Sequence, residues 1–293
     1  MKKNFEGVFT ALVTPFKKGE VDFASLKRLV AQQLQNGIEG FVVAGSTGEA
    51  ATLSIDEKLK VLDFVRTEVG GKTPVVIGSG TFNTRESCEL AHRFEKAKAD
   101  ALLVVTPYYS KPPQRGLIEH FKKICQSTAL PVIAYNVPSR TALSMDVETV
   151  ALAAKACPNL IGIKEAAGKL EVIKALKKEL PKDFLVISGD DGTFIEAMHL
   201  GAQGVISVIS HVVPRLCVDA SKISKNAKET AIFTEELREI SEILFCESNP
   251  IPVKWALFKM GVIDTPEVRL PLVELDERFY GPLTQALKNR GVL

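Results

Sequence analysis

Short runs of valine, isoleucine and other apolar residues recur eight times along the chain, each ending in glycine, serine, threonine or a polar cluster: Val8–Val13, Gly40–Ala44, Pro74–Ile77, Ala101–Val105, Pro131–Tyr135, Leu160–Lys164, Phe184–Ser188 and Gly204–Val208. Nearly continuous apolar runs of this length suit parallel strands covered on both faces. The segments between them carry helical spacing. Leu26, Leu29, Val30 and Leu34 recur at helical intervals before a stop at Asn36-Gly37. Ser54 to Glu57 reads as a capping box that starts a helix whose stripe includes Leu59, Leu62 and Val65.

Eight β-then-α units predict an α/β fold, a (β/α)8 TIM barrel, rather than a doubly wound sheet of fewer strands. No G-x-G-x-x-G follows the first run, and Gly78-Ser79-Gly80 reads as a strand-end turn. Beyond Val208 the pattern is helical, with stripes at Phe233, Leu237, Ile240 and Leu244, at Val253, Ala256, Leu257 and Met260, and at Leu275, Phe279, Leu283 and Leu287. No linker-like stretch intervenes. The expected organisation is a catalytic barrel over 1–214 and a helical region over 215–293 packed on it.

Composition narrows the function. A formal net charge of +2 without a basic stripe argues against nucleic-acid binding. The five cysteines, Cys88, Cys125, Cys157, Cys217 and Cys246, are scattered without C-x-x-C spacing, as expected of reduced thiols rather than a disulfide framework or zinc site. Residues 1–5 lead into no apolar signal run, and no segment approaches membrane-spanning length, so the expectation is a soluble, cytoplasmic protein.

A barrel of this kind builds its site from loops at the carboxyl ends of its strands. The unusual residues fall there: Gly45-Ser46-Thr47-Gly48-Glu49, Thr106-Pro107-Tyr108-Tyr109, Tyr135-Asn136-Val137-Pro138-Ser139-Arg140, Lys164, and Ser188-Gly189-Asp190-Asp191. In the run from Asn159 to Gly168, alternation sets Leu160, Gly162 and Lys164 on one face and Ile161, Ile163 and Glu165 on the other. Taken alone, Lys164 reads as a strand-end lysine whose head reaches solvent. At a catalytic rim, desolvation disfavours an ammonium and leaves amine able to attack a carbonyl. Tyr135 is placed to move protons there, with Ser46 in relay. Arg140 offers a planar fork for a carboxylate. Gly162, Ala166 and Ala167 read as leaving room for a bound intermediate. The histidines His92, His120, His199 and His211 lack metal-ligand spacing and read as structural or surface residues. Asp190-Asp191 reads as a turn capping a helix near Thr193 rather than a magnesium site, and Trp255 as packing.

The motifs G-S-T-G-E, T-P-Y-Y, Y-N-V-P-S-R-T, G-I-K-E-A and S-G-D-D, in this order and spacing, resemble the pyruvate-dependent class I aldolase superfamily. Within it they resemble the dihydrodipicolinate synthase family, from Thr14-Pro15 to the run Asn249 to Lys254. The resemblance implies a lyase of diaminopimelate and lysine biosynthesis that uses no cofactor beyond a covalent Schiff base between pyruvate and Lys164. L-Aspartate 4-semialdehyde would be the second substrate, and no nucleic acid or membrane partner is implied. It further implies a proton relay of Tyr135, Ser46 and Tyr109, with Tyr109 entering a neighbouring subunit's site in a homotetramer, a dimer of dimers. Thr47 would hold the pyruvate carboxylate, Arg140 the semialdehyde carboxylate, and Gly189 and Ile206 would line the site through backbone atoms.

Two departures stand out. Ser46 replaces a threonine common in the family, keeping the hydroxyl. Ile55, Lys58 and Phe82 replace histidines and an asparagine of a lysine-feedback pocket, leaving only Glu86 and Tyr108, so weak or absent inhibition by L-lysine is expected. On the same scaffold, an N-acetylneuraminate lyase or a 2-keto-3-deoxy sugar-acid aldolase is the alternative, and the arginine after Y-N-V-P-S favours the first reading.

Overall fold

The computed structural model describes residues 3–223 and 227–293. Strand β1 (Gly7–Ala11) opens the barrel and is followed by a small antiparallel hairpin of β2 (Phe16–Lys17) and β3 (Glu20–Val21), too short for any periodic pattern to announce. Then come β4 (Gly40–Val43), β5 (Val75–Ser79), β6 (Ala101–Val105), β7 (Val132–Asn136), β8 (Leu160–Glu165), β9 (Leu185–Ser188) and β10 (Gly204–Ser207). These and β1 close into an eight-stranded barrel in the order β1-β10-β9-β8-β7-β6-β5-β4. All pairings are parallel, and β1 seals the ring by pairing with both β10 and β4.

The observed strands match the apolar runs with small shifts that have physical causes. Pro131 lies just outside β7 because it has no N–H for the ladder, although its carbonyl accepts from Leu102 N at 2.9 Å. Val8, Phe41, Ile77, Leu102 and Ile163, each on a different strand, are all fully buried, as expected of strands with a packed interior and a helical cover. The helices begin and end where the chemistry of their ends requires. Asp22 accepts from Ala24 N and Ser25 N at the head of Phe23–Gln35, and Gly37 takes a φ of +83° just past its end. Ser54 and Glu57 form the expected reciprocal capping box for Ile55–Glu68.

After β10 the described chain is helical over Pro214–Ile223, Ala227–Leu244, Ile251–Lys259 and Tyr280–Asn289. Leu237, Ile240, Leu244, Val253, Ala256, Leu257, Leu283 and Leu287 are buried. The last stripe is shorter than expected: Leu275 precedes a 3-10 turn at Glu277–Phe279, and the helix starts at Tyr280, whose ring stacks on Trp255 at 5.0 Å. His211 ties the end of the barrel to its start, accepting from Val13 N at 3.1 Å and bonding the Val208 carbonyl through Nδ1 at 2.7 Å. Burial pushes its imidazole down to about 4, which keeps it neutral for that bridging role. No helix among the described residues is long and apolar enough to cross a membrane.

Candidate active site

Lys164 lies on β8 in register with Tyr135 of β7 on one side and Ile187 of β9 on the other. Its side chain is buried, and Nζ stands 4.6 Å from the centre of the Tyr135 ring. It lines a cavity of about 530 Å³ walled also by Ser46, Thr47, Tyr135, Arg140 and Gly189 among others. A second cavity of about 350 Å³ shares Ser46, Tyr135 and Arg140 with the first.

Two glycines play different parts. A Cβ at Gly189 would lie 2.7 Å from Lys164 Cε and 2.6 Å from Ala166 Cβ, so glycine there is what lets the lysine occupy its place. Gly162, expected to leave room for a ligand, instead answers to strand packing. A Cβ on it would sit 2.6 Å from Cβ of Leu185 on β9.

No ion pair involves Lys164 among the described residues, although an acidic residue is next to it in sequence. Glu165 points to the other face, where it accepts from Asn136 Nδ2 at 2.8 Å and from Ala167 N at 2.8 Å. Asn136 is held in turn by Met145 N, which donates to its Oδ1 at 3.0 Å. Burial pushes the Glu165 carboxyl up, while those donors pull it back. The alternation of the strand therefore separates the lysine from its nearest carboxylate.

The carboxyl ends of β4 and β7 supply the rest. Thr47, beyond β4, accepts a hydrogen bond from Asn249 Nδ2 at 2.9 Å. Arg140, on the short helix Pro138–Thr141, donates from Nη2 to the Asn249 carbonyl at 3.1 Å. Glu49, in the same loop as Thr47, is buried against Lys254 at 2.6 Å and accepts from Arg269 N at 3.0 Å. The helical region after the barrel thus braces the loop that carries Ser46 and Thr47.

Six of the sequence-derived residues, Lys164, Tyr135, Ser46, Thr47, Arg140 and Gly189, come together on one cavity. Tyr109 and Ile206 do not join that wall. Tyr109 is 90% exposed with a φ of +67°, and Ile206 is buried within β10. The aspartates differ from expectation. The helix Phe194–His199 has no side-chain cap; instead Asp191 reaches across to accept from Val208 N at 2.7 Å and Ile209 N at 3.3 Å. Burial pushes its carboxyl up to about 6 against those donors. No group of residues that could hold a metal ion occurs among the described residues. Sequence reasoning assigned no part to Asn249 or Arg238, both on the cavity wall. Asn249 stood inside a recognisable motif, whereas Arg238 looks like any solvated helical arginine.

The model of the dihydrodipicolinate synthetase family matches residues 4–290. The 4-hydroxy-tetrahydrodipicolinate synthase of Bdellovibrio bacteriovorus is 46% identical over 293 residues, covering 99% of this chain and 100% of that protein. The enzyme of the same name from Pseudomonas aeruginosa is 46% identical over 291 residues, 98% of this chain and 99% of its own. Among solved structures, the chloride-inhibited dihydrodipicolinate synthase of Acinetobacter baumannii complexed with pyruvate superposes with a TM-score of 0.96 at 41% identity, covering 99% of this chain and 100% of that one. By family model, sequence and fold together, the chain belongs to the dihydrodipicolinate synthetase family.

Proposed function

We propose that this chain joins pyruvate to L-aspartate 4-semialdehyde through a Schiff base at Lys164, with Tyr135, Ser46 and Tyr109 relaying protons. The activity is that of a 4-hydroxy-tetrahydrodipicolinate synthase, a lyase of diaminopimelate and lysine biosynthesis. The observation that carries the Schiff-base reading is a buried lysine that makes no ion pair among the described residues, opening on a cavity whose wall also carries Tyr135, Ser46, Thr47 and Arg140.

The chemistry runs through Nζ. The amine adds to C2 of pyruvate, and the carbinolamine loses water to give a protonated ketimine. Loss of a proton from C3 makes the enamine, whose C3 attacks the aldehyde carbon of the second substrate. The amino group of that substrate then adds to C2 and expels Lys164, closing the ring of 4-hydroxy-2,3,4,5-tetrahydrodipicolinate; one water is released per turnover. Each step moves a proton at nitrogen, oxygen or C3, the task assigned to Tyr135 and Ser46. Thr47 and Arg140 serve as carboxylate anchors, while Gly189 and Ile206 contribute backbone atoms.

A homotetramer, a dimer of dimers, belongs to the same reading. Its support is Tyr109, which projects from the single chain almost fully exposed and would complete a neighbouring site. So does a cytoplasmic location, supported by five free cysteines. Weak or absent inhibition by L-lysine is also proposed. Lys58 lines the second cavity, and Phe82 packs edge-on to Tyr108 at 5.5 Å where an amide would be needed for hydrogen bonding. An inhibition curve at saturating pyruvate with a micromolar midpoint would overturn this.

Borohydride reduction in the presence of pyruvate, followed by peptide mass analysis, is expected to modify Lys164; absence of an adduct rejects the Schiff base. Turnover of aspartate semialdehyde in preference to N-acetylneuraminate or 2-keto-3-deoxygluconate is the expected substrate pattern.

A further inference from the structure

We infer that Asn249 is a positioning residue that sets both carboxylate anchors of the active site, orienting the Thr47 hydroxyl with its side-chain amide and the Arg140 guanidinium with its main-chain carbonyl. The inference rests on the reading above that Thr47 and Arg140 hold the substrates' carboxylates.

The geometry gives each contact a direction. Asn249 Nδ2 donates to Thr47 Oγ1 at 2.9 Å. A hydroxyl has one hydrogen and two acceptor positions. With the amide occupying an acceptor position, the Thr47 hydrogen remains available, and Thr47 stands on the cavity wall. An anion in the cavity therefore meets a threonine that is already set to donate. The Asn249 carbonyl accepts from Arg140 Nη2 at 3.1 Å. That holds one edge of the guanidinium and leaves other N–H groups for a carboxylate.

One residue thereby fixes the spacing of two anchors that belong to different strands. Thr47 follows β4 and Arg140 follows β7, respectively 202 and 109 residues away from Asn249 in sequence. The amide is not explained by the fold's own hydrogen bonding. Asn249 is buried, yet its Oδ1 has no partner, so a side chain chosen to satisfy the interior alone would not be an asparagine. The second tie between the same segments, Lys254 to Glu49, carries no atom into the cavity wall from the lysine and so braces the loop without orienting its hydroxyl.

The test measures the pyruvate concentration that half-saturates borohydride trapping, together with kcat and KM for both substrates, in wild type, Asn249→Ala, Thr47→Val and the double variant. Loss of the hydrogen bond to Thr47 is expected to raise the half-saturating pyruvate about fivefold in Asn249→Ala, with kcat changed less than KM, whereas the semialdehyde KM moves less because the main-chain carbonyl that accepts from Arg140 is kept. In the Thr47→Val background the same substitution is expected to add less than about twofold, because the hydroxyl it orients is gone. Equal factors in both backgrounds would overturn the inference, since a merely structural role does not depend on that hydroxyl. Asn249→Asp keeps the shape while removing the donor and adding an acceptor that competes for the Thr47 hydrogen. It is expected to be worse than alanine for pyruvate, and wild-type half-saturation in that variant would equally overturn the inference. If wild type itself yields no adduct, the Schiff-base reading fails, an outcome distinct from trapping that proceeds but ignores Asn249.

Discussion

Two buried lysines make opposite use of the same environment. Lys164 is 6% exposed and Lys254 fully enclosed, and each holds its Nζ over an aromatic ring, Tyr135 at 4.6 Å and Phe16 at 4.2 Å. Lys254 is neutralised by Glu49 at 2.6 Å, and that carboxylate is satisfied further by Arg269 N. Even so, burial pushes the Lys254 ammonium down to about 8 against the pull of Glu49. Lys164 has no such partner among the described residues and has a cavity instead. Burial alone therefore does not mark a nucleophile. What sets Lys164 apart as the proposed nucleophile is space beside its amine, with the carboxylate next to it in sequence turned to the other face of the strand.

The sharpest way to break this contrast is to delete each amine. Lys164→Met is expected to reduce turnover by about 10³-fold or more, the scale of losing a covalent route, while the thermal midpoint moves little because no ion pair is broken. A large loss of stability would mean that Lys164 is a structural lysine like Lys254. For the other lysine the expectation reverses. Lys254→Met or Glu49→Gln alone leaves a buried group without its partner and is expected to cost about 3–5 kcal/mol in urea unfolding. The double variant should recover most of that, and costs that simply add would show that the pair is not coupled.

Tyr135 tests whether the ring beside Lys164 is catalytic or only packing, as the Phe16 ring is beside Lys254. Tyr135→Phe keeps the ring and removes the hydroxyl. Its kcat is expected to fall by roughly 10²-fold or more, with slower formation of the reducible adduct. Unchanged adduct kinetics would leave the ring with the passive role that Phe16 has.

The contrast also explains what the sequence could disclose. The strands were legible because apolar runs between helical stripes report on local periodicity. Lys164 was legible for the same reason, as a charge interrupting an apolar run at a barrel's catalytic end. Lys254 was not, since a single lysine in a helical stretch is ordinary until its partner is known, and Glu49 lies 205 residues away. Asn249 hid behind a similar separation from Thr47. Gly162 misled because an empty side-chain position can be filled by a neighbouring strand as well as by a ligand, and only Leu185 in space decides which. The β2–β3 hairpin escaped because two-residue strands carry no period.

The polar cluster around Lys254 extends through Arg269 to Glu57, whose carboxyl titrates in a measurable range. Arg269 holds its guanidinium over the same Phe16 ring, 4.3 Å from the ring centre, and meets Glu57 at 2.5 Å. The hydrogen bonds from Arg269 hold the Glu57 carboxyl down to about 2 from an ordinary 4.5. A depressed folded-state value means that the unfolded chain binds the proton more readily, so the stabilisation is complete above about 4.5 and disappears as the pH falls to about 2. Since both side chains retain some solvent contact, the expected contribution is on the order of 1 kcal/mol. Glu57→Gln should flatten the acid limb of the stability curve in that window and leave the neutral-pH activity of Lys164 intact. An unchanged acid limb would mean that the side-chain pair with Glu57 adds nothing to the brace, and that Arg269 acts through its other bonds, from its backbone N–H to Glu49 and from its guanidinium to the Thr52 and Gly19 carbonyls.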